Sequence, residues 1–183
     1  MIQLATTRLV IRDHRQEDLD AYHKLLSNPN VMFRHSSTSC NLEQSRERLQ
    51  KSIEQIDLPQ RKLYFFCIEN RITSEFIGEI GYTVNEFTRV GKLVGAGYFV
   101  HDKYWGKGYT TEAMREVIRF AFEENDVYRI EAGCLKENIA SERVMQKCGF
   151  TKEAELKEYQ WHDGQLKDRI LYRLLRSEWL QNR

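Results

Sequence analysis

The stretch that most restricts how this chain can fold is VHDKYWGKGYTTEAM, Val100 to Met114. A strand-like apolar run from Leu93 to Val100 enters it, and a helical pattern from Thr110 to Glu124 leaves it. In that helix Ala113, Met114, Val117, Ile118, Ala121 and Phe122 cover a wide arc, as a helix does when most of its circumference is packed. Between the two, Gly106 and Gly108 let backbone come close to a ligand while the N–H groups of the helix start point outward. Such a start favours phosphate. Lys103 and Lys107 add charge, and Thr110 and Thr111 add hydroxyls, so a diphosphate fits better than a neutral ligand. The same glycines would equally shape a tight turn that binds nothing.

The other patterns supply a sheet for this junction. LATTRLVIR, Leu4 to Arg12, predicts a half-buried first strand, with Leu9 and Ile11 opposite Arg8, Val10 and Arg12. Asp13 can cap a helix bearing Leu19, Tyr22, Leu25 and Leu26, which Ser27-Asn28-Pro29 interrupts. Asn41 and Gln44 form a capping box before a second helix, whose sparse stripe of Leu42, Leu49, Ile53 and Ile56 places it on the surface. Runs from Leu63 to Ile68, Phe76 to Val84 and Leu93 to Val100 are close enough for antiparallel hairpins. After the buried helix come a strand, Tyr128 to Leu135, and a helix, Ile139 to Cys148, stopped by Gly149. The runs Thr151 to Trp161 and Leu166 to Leu175 flank Asp163-Gly164, a hairpin signal. This order predicts an α/β (α+β) fold in one domain, residues 1–183: a mixed, mostly antiparallel central sheet of about seven strands with about four helices packed on it.

Charge bounds the partners. With 28 Lys plus Arg against 27 Asp plus Glu, the formal charge is +1. A broad attraction to nucleic acid or membrane is not expected, and any anion must be bound locally. No apolar segment approaches the ~20 residues that span a bilayer, and Met1 to Arg12 lacks a signal-peptide apolar stretch, so a cytoplasmic protein is expected. Cys40, Cys67, Cys134 and Cys148 are widely spaced, without metal-ligand spacing, and read as buried free thiols with no metal. Cys134 lies in the strand leading toward the candidate site.

Two phosphate motifs fail on inspection. G-x-x-x-x-G-K-[ST] fails because Gly108 follows Lys107, and G-x-G-x-x-G because Thr111 holds the third glycine position. A second landmark is ENIASERVMQKCGF, Glu137 to Phe150. Together with YWGKGYTTEA it resembles the acetyl-CoA-binding core of the GNAT N-acetyltransferase superfamily, particularly its RimJ and RimL-like branch. The first segment follows [QR]-x-x-G-x-[GA] with Lys103 at the Gln/Arg position. The second follows N-x-x-S, a helix and Gly-Phe through Asn138, Ser141, Gly149 and Phe150. TTRLVIRDHRQEDLDAYHKLLSNPNVM, Thr6 to Met32, also resembles the start of that branch, so the likeness covers nearly the whole chain.

The resemblance implies a GNAT fold and an acetyl-CoA site. Backbone groups of Phe99 and Val100 would hold the pantetheine arm. The amides from Lys103 to Thr110, through Gly106, Lys107, Gly108 and Tyr109, would hold the pyrophosphate, and Asn138 and Ser141 would meet the arm near its sulfur. A splay between the strands ending at Val100 and Leu135 would admit the thioester, with the acceptor arriving from the opposite side.

Acetyl transfer to an amine needs a neutral amine, a stabilised oxyanion and a proton for the departing thiolate. The resemblance makes the Val100 N–H the oxyanion donor. Where many relatives carry a proton-donating Tyr, this chain has Met145, so Ser141 is the replacement candidate, although a first-turn serine beside Asn138 needs no such role. Where relatives often carry a carboxylate, this chain has Gly95; Glu79 is the substitute base, direct or through water, against the simpler reading of an exposed strand glutamate. An amine that loses its proton to a water chain is the other route. Ser141, Glu79 and Asn138 are thus the catalytic candidates. Arg34, His35 and His101 are loop candidates for acceptor contacts. Glu112 suits a helix N-terminal dipole, and Trp105 and Tyr109 read as packing for the turn.

The implied activity is acetyl-CoA-dependent acetylation of a primary amine, first the N-terminal amine of a ribosomal protein. The alternatives are a small-molecule amine (polyamine, aminoglycoside or amino-acid derivative) or a CoA-binding regulatory module without turnover. No nucleic acid or membrane partner is expected, and a homodimer is left open.

Overall fold

The computed structural model describes residues 1–34 and 38–182. In chain order it contains β1 (Gln3–Ala5), β2 (Leu9–Asp13), α1 (Leu19–Leu26), α2 (Pro29–Arg34), α3 (Leu42–Glu54), β3 (Leu63–Asn70), β4 (Phe76–Thr88), β5 (Gly91–Val100), α4 (Tyr109–Glu123), β6 (Val127–Leu135), α5 (Ile139–Lys147), β7 (Thr151–His162), β8 (Gln165–Leu175) and α6 (Arg176–Gln181). All eight strands join one sheet in the order β1-β2-β3-β4-β5-β6-β8-β7. Every neighbouring pair is antiparallel except β5 and β6. The mixed, mostly antiparallel sheet is the one expected; the element count differs for local reasons. Thr6 closes the first run into two strands, its N–H donating to the Leu9 carbonyl (2.9 Å) and its hydroxyl accepting from the Leu9 N–H (3.0 Å). Pro29 does not end the helical region but opens α2, a position where its missing N–H costs nothing. The short α6 follows β8 directly.

Asp13 is not the helix cap that the sequence suggested. It ends β2 fully buried, its carboxylate accepting from Arg61 Nη2 (2.7 Å) and the Ile2 N–H (2.6 Å). The turn into α1 is tied at Arg15, whose N–H donates to Asp18 (2.8 Å). The capping box of α3 does form, with Asn41 and Gln44 each accepting the other's N–H at 2.9 Å.

Helices cover both faces of the sheet, which is why β2 buries Arg12 and Asp13 as well as Leu9 and Ile11. On one face Ile80, Tyr82, Val94 and Ile130 meet Met114, Val117, Ile118 and Ala121 of α4. On the other, Phe76 and Phe99 pack on Tyr22, Leu26, Met32 and Leu49 of α1 to α3. Side chains alternate along β5, so Tyr98 and Val100 belong to the α4 face and Phe99 to the α1 face.

The parallel pair is where the sheet opens. β5 and β6 pair only from Lys92 with Val127 to Gly95 with Glu131. Beyond that, β5 follows β4 as far as Val100 while β6 follows β8 as far as Leu135. The two strands therefore diverge as the sequence led one to expect.

Candidate active site

The junction after β5 delivers α4 to the mouth of this gap. Gly106 and Gly108 have φ of +74° and +80°, where a side chain costs roughly 1–2 kcal/mol. Gly108 is the N-cap of α4 and has no side chain to offer its first-turn N–H groups. By contrast Asn41 caps α3 and Asn138 caps α5. The glycine-capped end of α4 meets a cavity of about 420 Å³, with Gly106, Gly108, Thr110 and Thr111 on one side and Arg143, Val144 and Lys147 of α5 on the other. A helix N-terminus and two cations lining one cavity are a chemistry that suits an anion.

The side chains of the turn divide differently from the sequence reading. Lys103 pairs with Glu75, both half exposed, and lies outside the cavity lining. Lys107 is exposed and contributes its carbonyl to Arg8 Nη1 (3.0 Å). The positive charge on the cavity instead comes from Arg143 and Lys147. They share one face of α5 with Ala140 and Val144, an i, i+3, i+4, i+7 pattern present in the sequence but overshadowed there by the N-x-x-S motif. Tyr109 packs as expected, its ring 4.5 Å beneath the Arg8 guanidinium. The Trp105 indole N–H donates to the Val100 carbonyl (2.8 Å), bracing the turn against β5. Glu112 does more than suit a dipole. It accepts from Thr6 Oγ1 (2.6 Å), the Arg8 N–H (3.0 Å) and Arg8 Nε (2.7 Å), and so locks the β1–β2 turn onto α4.

A second cavity, of about 230 Å³, fills the gap between β5 and β6. It is lined from the α4 face by Tyr98, Met114 and Met145, and from the α1 face by Phe65, Phe99 and Arg169. Tyr98, Asn138 and Ser141 line both cavities, where the two adjoin. Asn138 and Ser141 are buried, with Asn138 Oδ1 accepting the Ser141 N–H (3.2 Å). Ser141 Oγ lies 2.7 Å from Tyr98 Oη. Burial pushes the Tyr98 phenol up to about 12, the bond to Ser141 offsetting part of the rise. The sequence reading missed Tyr98, the one phenol at the position that Met145 leaves without a donor. His101 N–H donates to the Ile77 carbonyl (3.0 Å), which fixes the antiparallel alternation between β5 and β4. Consequently Tyr98 and Val100 turn their backbone groups away from β4, on the side of the gap, whereas the Phe99 backbone, expected to hold the pantetheine arm, is turned to β4, where Phe99 pairs with Glu79.

The family described as Acetyltransferase (GNAT) domain matches residues 8–151, a span that includes the turn, both lips of the gap and α5. The chain belongs to the GNAT acetyltransferase family. It is an N-acetyltransferase by that membership and by its relatives. N-acetyltransferase p20 of Bacillus licheniformis is 29% identical over 180 residues, 98% of this chain and 99% of p20. The [ribosomal protein uS5]-alanine N-acetyltransferase of Escherichia coli is 33% identical over 87 residues, 48% of this chain and 45% of that protein, in keeping with the RimJ and RimL-like branch. The fold is shared with the spermidine N-acetyltransferase of Vibrio cholerae, whose crystal structure holds CoA and spermine. The TM-score is 0.81 at 21% identity, covering 96% of this chain and 99% of that one.

In this GNAT domain Glu79 is not an exposed strand residue. It is 4% exposed on β4, lines neither cavity, and accepts from Tyr22 Oη (3.4 Å) beside His14 Nε2 (2.9 Å). His14 lies between Glu79 and Asp18, the latter 3.6 Å from Nδ1. Burial alone would lower the imidazole's pKa, but the nearby Asp18 carboxylate and the hydrogen bond to Glu79 raise it to about 9. Asp18, Cys67 and Glu69 also converge, yet Arg12 already bonds both of those carboxylates, and burial pushes the Cys67 thiol up. All four cysteines are free and buried; Cys134 lines the gap, its thiol pushed up to about 11 by burial. His101 Nδ1 lies 2.8 Å from Asp102 and lines neither cavity. His35 and the side chain of Arg34 lie outside the described residues.

Proposed function

We propose that this N-acetyltransferase moves the acetyl group of acetyl-CoA to a primary amine inside the gap between β5 and β6. The meeting of the two cavities at Tyr98, Asn138 and Ser141 carries the reading. The larger cavity supplies an anion-binding helix end, and the smaller opens through the sheet toward α1. In this reading the α4 amides from Gly106 to Thr110 hold the pyrophosphate, with Arg143 and Lys147 adding charge. The gap-facing backbone of Tyr98 and Val100 aligns the pantetheine arm, and Phe99 lines the acceptor side.

The oxyanion and the departing thiolate then each have a named group. The Val100 N–H faces the thioester carbonyl and stabilises the oxyanion. The Tyr98–Ser141 hydroxyl pair meets the sulfur and stabilises the departing thiolate. Glu79, sequestered beneath His14 and Tyr22, does not take the amine proton; the proton leaves through water in the open gap, and catalysis rests mainly on positioning. Asn138 keeps Ser141 in place by capping α5. The names of relatives supply two acceptor types, a ribosomal protein N-terminus and spermidine. Thiol release from acetyl-CoA in the presence of N-terminal peptides, polyamines and amino-acid derivatives tests the reading. Saturable acetyl-CoA binding with no thiol release from any amine would favour a CoA-binding module instead.

A further inference from the structure

Arg169, in β8, is the only charged side chain lining the 230 Å³ gap among the described residues. Its head is fixed by two neutral acceptors: Nη1 donates to Gln160 Oε1 (2.8 Å) and Nη2 to the Gly133 carbonyl (3.1 Å). No carboxylate pairs with it among the described residues, whereas Arg12, Arg61, Arg129 and Arg173 are each paired with one. Of the acids on β6 and on β4 beyond β5, Glu131 pairs with Arg129 and Glu79 lies against His14. The rest of the lining on the acceptor side is apolar or backbone, from Phe65, Gly97, Phe99 and Leu135. An oriented, partly buried guanidinium with unsatisfied charge recognises a planar anion, and a carboxylate matches its fork. A polycation would meet repulsion there and no counter-charge. The cavity of about 230 Å³ lies below the ~300–1,000 Å³ of sites for drug-sized ligands, so the part of the acceptor that enters it is small.

We propose that Arg169 selects the acceptor by its carboxylate, and that the substrate class is a small amine carrying a carboxylate a few bonds from the nitrogen: a free amino acid or an amino-acid derivative. This rests on the N-acetyltransferase reading above. The guanidinium acts as a specificity residue: holding the carboxylate fixes the amine at the thioester end of the gap, near Tyr98 and Val100. The neutral amine attacks the thioester carbon, the C–N bond forms and the C–S bond breaks; the nitrogen gives up its proton to water, and the departing thiolate takes a proton from water to leave as CoA thiol.

The test compares free amino acids with their own carboxamides, and with spermidine and a neutral peptide N-terminus, as acceptors for the intact protein under saturating acetyl-CoA. The expected result is a preference for the acid over its amide of roughly tenfold or more in kcat/KM. Arg169→Gln, which keeps donors for the Gly133 carbonyl, should raise KM for the acids about 10- to 100-fold while leaving kcat and the amides nearly unchanged. Arg169→Lys should restore part of the preference. Amides or spermidine matching the acids in the unaltered protein would overturn the proposal without any variant, and would leave the N-acetyltransferase reading standing. An equal loss for acids and amides in Arg169→Gln would likewise overturn it, by reducing Arg169 to a brace for β6. Absence of thiol release with every amine, together with no acetyl-CoA binding by calorimetry, would overturn both.

Discussion

Tyr98→Phe removes a single hydroxyl and keeps the ring that packs against the core, so it isolates the group 2.7 Å from Ser141. The size of its effect follows from acidity. The buried phenol is pushed up to about 12, whereas a thiol titrates near 8.5, so handing a whole proton to the departing thiolate would run uphill by about 5 kcal/mol. On the proposed mechanism the hydroxyl pair would therefore act as a hydrogen-bond donor to developing charge, worth about 1.5–3 kcal/mol, and not as a matched general acid worth 10²–10⁴-fold. Thiol-release kinetics on Tyr98→Phe should show kcat lowered about 10- to 100-fold, with acetyl-CoA affinity by calorimetry nearly intact. Ser141→Ala should fall in the same range, and the double variant should cost little more than the worse single, because the two hydroxyls act as one unit. A kcat within threefold of the unaltered protein would remove the pair from the mechanism. A loss beyond a thousandfold with intact binding would show that Tyr98 transfers its proton outright, and would refute the energetic reasoning.

Other outcomes follow from separate parts of the fold. His14 holds its proton up to about 9 in the folded state against an ordinary 6.5. Its contribution, roughly 3 kcal/mol, is thus fully present below about pH 6.5 and lost as pH rises through 9. Thermal unfolding of the protein should weaken over that window more than unfolding of His14→Gln; parallel curves would refute the buried charged pair. Gly108→Glu puts bulk and negative charge at the capless end of α4, and should weaken acetyl-CoA binding at least about 100-fold by calorimetry. Unchanged affinity would dismiss that turn as the pyrophosphate site. The Arg169 substitutions complete the set, read through the ratio of acid to amide acceptors.

What was legible in the sequence was what neighbouring residues decide among themselves. The Asn41–Gln44 box, the Asp163-Gly164 hairpin with φ of +50° and +73°, and the glycine-capped α4 are all local. What escaped was decided by distant partners. Thr6 and Arg8 break the first strand because Glu112, more than a hundred residues later, holds them. Asp13 reads as a cap until Arg61 takes its carboxylate. Glu79 alternates like a solvent-facing residue, and only α1 laid across the second face, bringing Tyr22 and His14 onto it, buries it. Tyr98 sits in an ordinary apolar strand; its meaning arises where β5 leaves β6 and α5 brings Ser141 alongside.

The brief parallel pairing has a mechanical consequence. Among the described residues, the backbone ladder between β5 and β6 is only the four residues from Lys92 to Gly95, and α4 connects the two strands across that seam. A ligand seated in the gap adds rungs to a ladder that the chain leaves unfinished. Deuterium uptake at residues 98–100 and 132–135 should therefore slow on loading with acetyl-CoA, while the far edges at β1 and β7 exchange as before. The protein's resistance to proteolysis would then track its cosubstrate supply, rising with the logarithm of acetyl-CoA concentration above the dissociation constant. Under the proposed function, the open seam would thus also tie the protein's lifetime to the supply of acetyl-CoA.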